Sequence, residues 1–127
     1  MRRVSFDPRF VNKAGNDLVP GKIHTIRGNY ELWKRFEGQD MALFTWEGKP
    51  YRSKQRVFCI KRIVSVQRMV KERGYFYVPR GLCDLVYAAI EKLAKNDGFD
   101  SVCEFSNWFC DYPDSEMAIL HFTGFRY

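Results

Sequence analysis

Gly21-Lys22-Ile23-His24-Thr25-Ile26-Arg27 places an amine, an imidazole, a hydroxyl and a guanidinium within seven residues. Thr25 becomes a nucleophile only with a base beside it. Lys22 can be that base if burial or a neighbouring cation lowers its proton affinity. Arg27 offers a two-pronged fork for a phosphate or carboxylate. His24 is either a second acid–base group or a structural hydrogen-bonder. The plain alternative is an exposed lysine, a strand-forming threonine, and Arg27 paired with an acid such as Asp97 or Glu104. Polar groups in a partly buried strand need partners. This segment therefore either lines a cleft or forms a solvated edge.

Pro20-Gly21 is a turn signal, and the β-branched residues after it predict a strand from Lys22 to Arg27. Lys22 and Thr25 are three apart, so a regular strand would point them to opposite faces. They converge only if the backbone is irregular near Gly21. Further strands are predicted at residues 3–6, 41–46, 75–78 and 117–122. A long strand over 56–67 is expected to turn Phe58, Ile60, Val64 and Val66 inward. Residues 9–20 read as a short helix or loop, and 31–36 as a charged, aromatic connection. From Pro79 the apolar spacing becomes helical, through Leu82, Leu85, Val86, Ala89, Ile90 and Leu93, and Gly98 closes the run. Ser101-Val102-Cys103-Glu104 fits a capping box for a second helix. Phe105, Trp108 and Phe109 are expected to face inward from it. His121 is read as structural. The order of elements indicates one α+β domain over 1–127, a curled sheet or small barrel with helices at one end.

The formal charge of +6 is unevenly placed. Residues 1–80 carry 18 Lys and Arg against 7 Asp and Glu, while residues 81–127 carry 3 against 8. A basic first part suits a polyanionic partner. Aromatic residues make up 17% of the chain, enough to raise base stacking as a role for some of them. Trp33, Lys34 and Arg35, with Trp46 and the cluster Lys49, Arg52, Lys54 and Arg56, form a candidate nucleic-acid surface. Their alternative is a solvated basic loop with the tryptophans in the core. The four cysteines (59, 83, 103 and 110) form no CxxC pair, so no metal site or other cofactor is expected. No apolar leader or membrane-length run is seen, and the cysteines are expected to be mostly buried thiols of a cytoplasmic protein.

Gly21-Lys22-x-x-Thr25-Ile26-Arg27 resembles the G-x-K-x-x-T-x-R-like segment of the ASCH domain, a relative of the PUA fold, with one residue fewer between glycine and lysine. Asp97-Gly98-Phe99-Asp100-Ser101 followed by Glu104-Phe105 looks like that family's acidic-Gly-Phe turn and its E-F helix. In order and spacing the chain is most similar to phage and bacterial members. The resemblance implies a β-barrel of about five to six strands with helices covering its ends. It also implies a cleft in which the early segment faces the acidic turn. The family is generally regarded as binding RNA or nucleotides. One bacterial branch hydrolyses the amide of N4-acetylcytidine with lysine, threonine and glutamate, which here become Lys22, Thr25 and Asp97. Three function classes are thus expected. The first is an RNA- or nucleotide-binding domain using Lys22, His24, Thr25, Arg27, Asp97 and Glu104. The others are an amidohydrolase on an acylated nucleoside and a protein-interaction module of phage or mobile-element origin.

Overall fold

The computed structural model describes residues 1–78 and 87–127, the side chains of 87–89 excepted. Its seven strands form two sheets. The first contains β1 (Arg2–Ser5), β3 (Asp40–Trp46) and β4 (Gln55–Arg62), with β1 parallel and β4 antiparallel to β3. The second runs β2-β7-β5-β6 and is antiparallel throughout, with β2 at His24–Gly28, β5 at Ser65–Glu72, β6 at Tyr75–Tyr77 and β7 at Ser115–His121. Among the described residues, the α-helices α1 (Tyr30–Lys34), α2 (Tyr87–Asn96) and α3 (Val102–Phe109) and a 3-10 turn at Pro8–Phe10 complete an α+β architecture. No strand pairing among the described residues closes the sheets into a barrel. Met41, Leu43, Ile63, Met69, Leu93, Phe105, Met117 and Ile119 form one dry core between sheets and helices.

The strand expected over 56–67 is two strands belonging to different sheets. In β4, Cys59 faces Leu43 and Val57 faces Phe44, which leaves Phe58 as the extra residue of a bulge. One extra residue inverts every later side chain. Phe58 is therefore buried, while Ile60, expected inside, is 58% exposed. At Ile63-Val64 the chain changes sheets. The Ile63 N–H donates to the Gln39 carbonyl (2.9 Å), while the next N–H, of Val64, donates to that of His121 (2.8 Å). Ile63 is buried by the crossing and Val64 is exposed. This break contains no glycine or proline, so nothing in the local sequence announced it.

The connection expected at 31–36 begins with α1. Asn29 takes a left-handed conformation (φ 67°) and its side chain accepts from the Leu32 N–H, which starts the helix. Trp33 on this helix is only 8% exposed and belongs to the core, so it does not join a nucleic-acid surface. Burying its ring is what fastens so short a helix. In α3 the capping serine behaves as expected, accepting from the Glu104 N–H (3.1 Å). Phe105 and Phe109, one turn apart, are buried, but Trp108 lies off that stripe and is 38% exposed. The helix expected from Pro79 falls partly outside the described residues, as does Cys83. No helix among the described residues is long and apolar enough to cross a membrane.

Candidate ligand pocket

The end of α2 builds the floor of the site. Gly98 has φ +90°, and the N–H groups of Gly98 and Phe99 donate back to the carbonyls of Lys95 and Ala94 (both 3.0 Å). This is a left-handed helix cap, for which glycine is the favoured residue. The cap leaves the Asn96 and Asp97 carbonyls facing outward at the negative end of the helix dipole. The 20s segment satisfies both of them. Asn96 accepts from the Ile23 N–H (2.8 Å), and Asp97 accepts from Lys22 Nζ (2.6 Å). Nζ also donates to Asp97 Oδ1 (3.1 Å). The pair is buried.

Lys22 precedes β2, which begins only at His24. Its N–H closes the turn onto the Val19 carbonyl, and Gly21 in that turn has φ +88°. Strand alternation therefore does not govern Lys22, and it opens into the same cavity as Thr25. Thr25 and Arg27, two apart on β2, follow the strand period. Arg27 Nη2 donates to the Ser5 carbonyl (2.6 Å) and Nε to Thr25 Oγ1 (3.3 Å). The guanidinium carbon also sits 4.8 Å from the centre of the Phe6 ring.

The cavity holds about 380 Å³. Lys22, Thr25, Arg27 and Asp97 give it a polar floor. Phe6, Phe10, Trp46, Tyr51, Trp108 and Tyr112 give it aromatic walls. Burial lowers the proton affinity of the Lys22 amine; Asp97 opposes that, and the charges of Arg27 and Arg9 reinforce it. Arg27 is shifted down by burial too, but a guanidinium starts so high that it remains a cation.

Beneath this floor runs a buried polar chain. His24 Nδ1 lies 3.2 Å from Asp97 Oδ1, and its Nε2 lies 2.6 Å from the Tyr127 hydroxyl. Asn96 Nδ2 donates to that hydroxyl (3.2 Å). A carboxylate only accepts, so His24 carries its proton on Nδ1, and Nε2 takes the Tyr127 O–H. Burial raises the Tyr127 phenol above its ordinary value and so keeps this donor protonated. Gln67 fixes Tyr127 by its backbone, with Nε2 donating to the Tyr127 carbonyl (2.8 Å) and Oε1 accepting from the Tyr127 N–H (3.1 Å). His121 Nε2 donates to the same Oε1 (3.0 Å), and its Nδ1 has no partner among the described residues. Burial, reinforced by His24 and Arg126, pushes the His121 imidazole down to about 3, so the ring is neutral.

The fold thus gathers Lys22, Thr25, Arg27 and Asp97 around the cavity, with Trp46 in its wall and His24 bonded to Asp97 beneath it. His24 is fully buried and outside the cavity lining. Glu104 is outside it as well: its Oε2 accepts from the Asp100 N–H (3.1 Å) and lies 3.5 Å from Arg9 Nη2. Lys34 is paired with Glu37 at 2.9 Å, and Arg35 is exposed beside it. Lys49, Arg52, Lys54 and Arg56 lie exposed on and beside the β3–β4 connection, whose Gly48, Pro50 and Tyr51 form part of the cavity rim. Among the described cysteines, Cys103 and Cys110 are exposed and Cys59 is half-buried, so they are not mostly buried as expected. They sit on the polar side of α3 and on a strand flank. No three His, Cys, Asp or Glu side chains among the described residues cluster as a metal site would require. Tyr51, Trp108, Tyr112 and Tyr127 were not anticipated at the site. The high aromatic content was the one signal that pointed to such residues.

No protein-family model matches the chain, and no curated protein and no solved structure matches it.

Proposed function

We propose that this cavity binds a nucleobase-bearing ligand, either an RNA base or a nucleotide, in an ASCH-like domain of the PUA type. One observation carries the reading. The buried Lys22–Asp97 pair, 3.1 Å apart, shares an aromatic-walled cavity of about 380 Å³ with Thr25 and Arg27. That volume lies within the small-molecule range. Aromatic walls accept a planar ring by stacking. A carboxylate beside an ammonium and a guanidinium can read both the amino and the carbonyl edge of a base. Arg27 has used two of its five N–H donors on Ser5 and Thr25, which leaves others for a carbonyl or phosphate oxygen. The excess of positive charge in residues 1–80 suits the same ligand class.

A second reading is favoured by the placing of Lys22, Thr25 and Asp97 in one cavity and by the lowered proton affinity of Lys22. In it the domain hydrolyses an acylated nucleoside such as N4-acetylcytidine. Thr25 Oγ1 adds to the acyl carbonyl as Lys22 takes the hydroxyl proton. The C–N bond breaks as that proton passes to the leaving nitrogen, and water then releases the acyl group from Thr25.

Calorimetric titration with cytidine, CMP and a short single-stranded RNA tests the first reading. Arg27→Ala and Trp108→Ala are expected to weaken binding about tenfold or more, within the ~1–3 kcal/mol that base stacking supplies. Failure of all three ligands to bind at millimolar concentration sinks it. Release of acetate from N4-acetylcytidine, lost in Thr25→Ala, separates the second reading from the first.

A further inference from the structure

We infer that His24 and Tyr127 are positioning residues, which fix the Asp97 carboxylate and through it hold the Lys22 ammonium toward the cavity. Their functional meaning rests on the proposed binding site, but the geometry stands without a ligand.

Lys22 reaches Asp97 through a flexible four-carbon stem. A carboxylate turns easily about its last torsion, which has no sharp staggered minima. The Asp97 backbone carbonyl holds one Nζ–H (2.6 Å), but the carboxylate contact alone leaves the setting of the ammonium's other donors open. His24 supplies the missing constraint. Its Nδ1 meets the same Oδ1 that Lys22 uses, so that oxygen lies between two donors. The ring is in turn held at its far side by the Tyr127 hydroxyl, at 2.6 Å. Tyr127 cannot swing away, because Gln67 grips both its N–H and its carbonyl. The imidazole is fully buried, and a leucine would fill such a site with no polar groups to satisfy. Both ring nitrogens are used, and both are used along one line. That line runs from Asn96 through Tyr127 and His24 to Asp97, and ends at the cavity floor. The charged groups acting on Lys22 are Asp97, Arg27 and Arg9. Of these, Asp97 alone is hydrogen-bonded to it.

The test reads solvent exchange of the Lys22 Nζ protons by nitrogen-15 NMR, in the full chain without ligand. The backbone amides of Thr25 and Arg27, which face β7 in the ladder, serve as the internal reference. In Tyr127→Phe, which removes one oxygen, Nζ exchange is expected to accelerate about tenfold while the β2 amides keep their protection. His24→Leu should do the same. His24→Asn, whose side-chain amide can replace the Nδ1–H, should restore slow exchange. Unchanged Nζ exchange in Tyr127→Phe overturns the inference. So does loss of amide protection in step with it, failure of Tyr127→Phe to fold, or His24→Asn behaving like His24→Leu. Absence of nucleotide binding would instead sink the proposed function and leave this result intact.

Discussion

Gly98 lies directly beneath Lys22. A Cβ at Gly98 would stand 3.1 Å from Lys22 Cδ and 3.3 Å from Lys22 Cβ, with Phe10 Cδ1 at 3.2 Å on the other side. The residue that ends α2 thus also provides the surface on which the lysine stem rests. Two separate costs follow for Gly98→Ala. The left-handed φ of +90° disfavours any side chain by about 1–2 kcal/mol, and the crowding adds to it. Gly21→Ala isolates the first cost, since Gly21 has φ +88° and nothing within 4 Å of its would-be Cβ. Denaturant unfolding should show Gly98→Ala to be the more damaging, and it alone should weaken CMP binding. Equal losses of stability would mean that the Lys22 contact is yielding.

The buried pair itself gives a second expectation. Removing one partner strands the other's charge, at about 3–5 kcal/mol. Lys22→Met and Asp97→Asn should each be strongly destabilising. The double variant should cost less than their sum, with a coupling of roughly 0.5–3 kcal/mol. The pH dependence has a definite sign. The folded Lys22 binds its proton less tightly than the ordinary 10.5 of the unfolded chain. Between those two values the unfolded chain holds more protons, so Lys22 makes stability rise with pH. The window closes from about pH 9, where the Cys59 thiol and then the Tyr127 phenol, both raised by burial, pull the other way. In alkaline urea unfolding the slope of stability against pH should be smaller for Lys22→Met than for the native chain.

The meeting of Lys22 with Asp97, 75 positions apart, was expected from the family resemblance, which set the Lys-x-x-Thr-x-Arg segment against the Asp-Gly-Phe turn. Strand parity spoke against Lys22 meeting Thr25 and was answered by the chain itself, since Lys22 lies in the turn before β2. Periodicity failed where an extra residue entered, as at Phe58, or where a helix was too short to show a face, as at Trp33. Trp108 fitted helical spacing from Phe105 but lies one position off the stripe that Phe105 and Phe109 bury. The His24–Tyr127 bond joins residues 103 apart and uses side chains that carry no motif. Only tertiary contact could bring it to light.

His121 makes stability depend on mildly acidic pH. Its folded value of about 3 lies below the 6.5 of the unfolded chain. Between the two the unfolded chain binds the extra proton, so stability falls as pH drops from 6.5 toward 3. One such group contributes a slope of at most about 1.4 kcal/mol per pH unit. Asp17 and Glu37, held below their ordinary values chiefly by Lys61 and Lys34, add a loss of the same sign at lower pH. The His121 share is therefore cleanest between pH 6.5 and 5. Urea unfolding there should be steeper for the native chain than for His121→Gln. Equal slopes would mean that the folded ring takes up the proton.

On the proposed reading, the β3–β4 connection would distinguish a free nucleotide from a base within a strand. Tyr51, 89% exposed, stands on the cavity rim, and Lys49, Arg52 and Lys54 are exposed around it. Phosphates flanking a base in the cavity would meet these cations. Arg56 is a poorer candidate, because its guanidinium lies over Gly15, where a Cβ would come within 3.2 Å of Nη2. Each phosphate contact with a single strand adds about 0.7 to the slope of log affinity against log salt. Replacing Lys49, Arg52 and Lys54 together with alanine should flatten that slope by roughly 2 for single-stranded RNA, if each holds one phosphate. CMP affinity should stay the same, because none of the three lines the cavity. An unchanged RNA slope would assign the cavity to a free nucleotide and leave the connection a solvated loop.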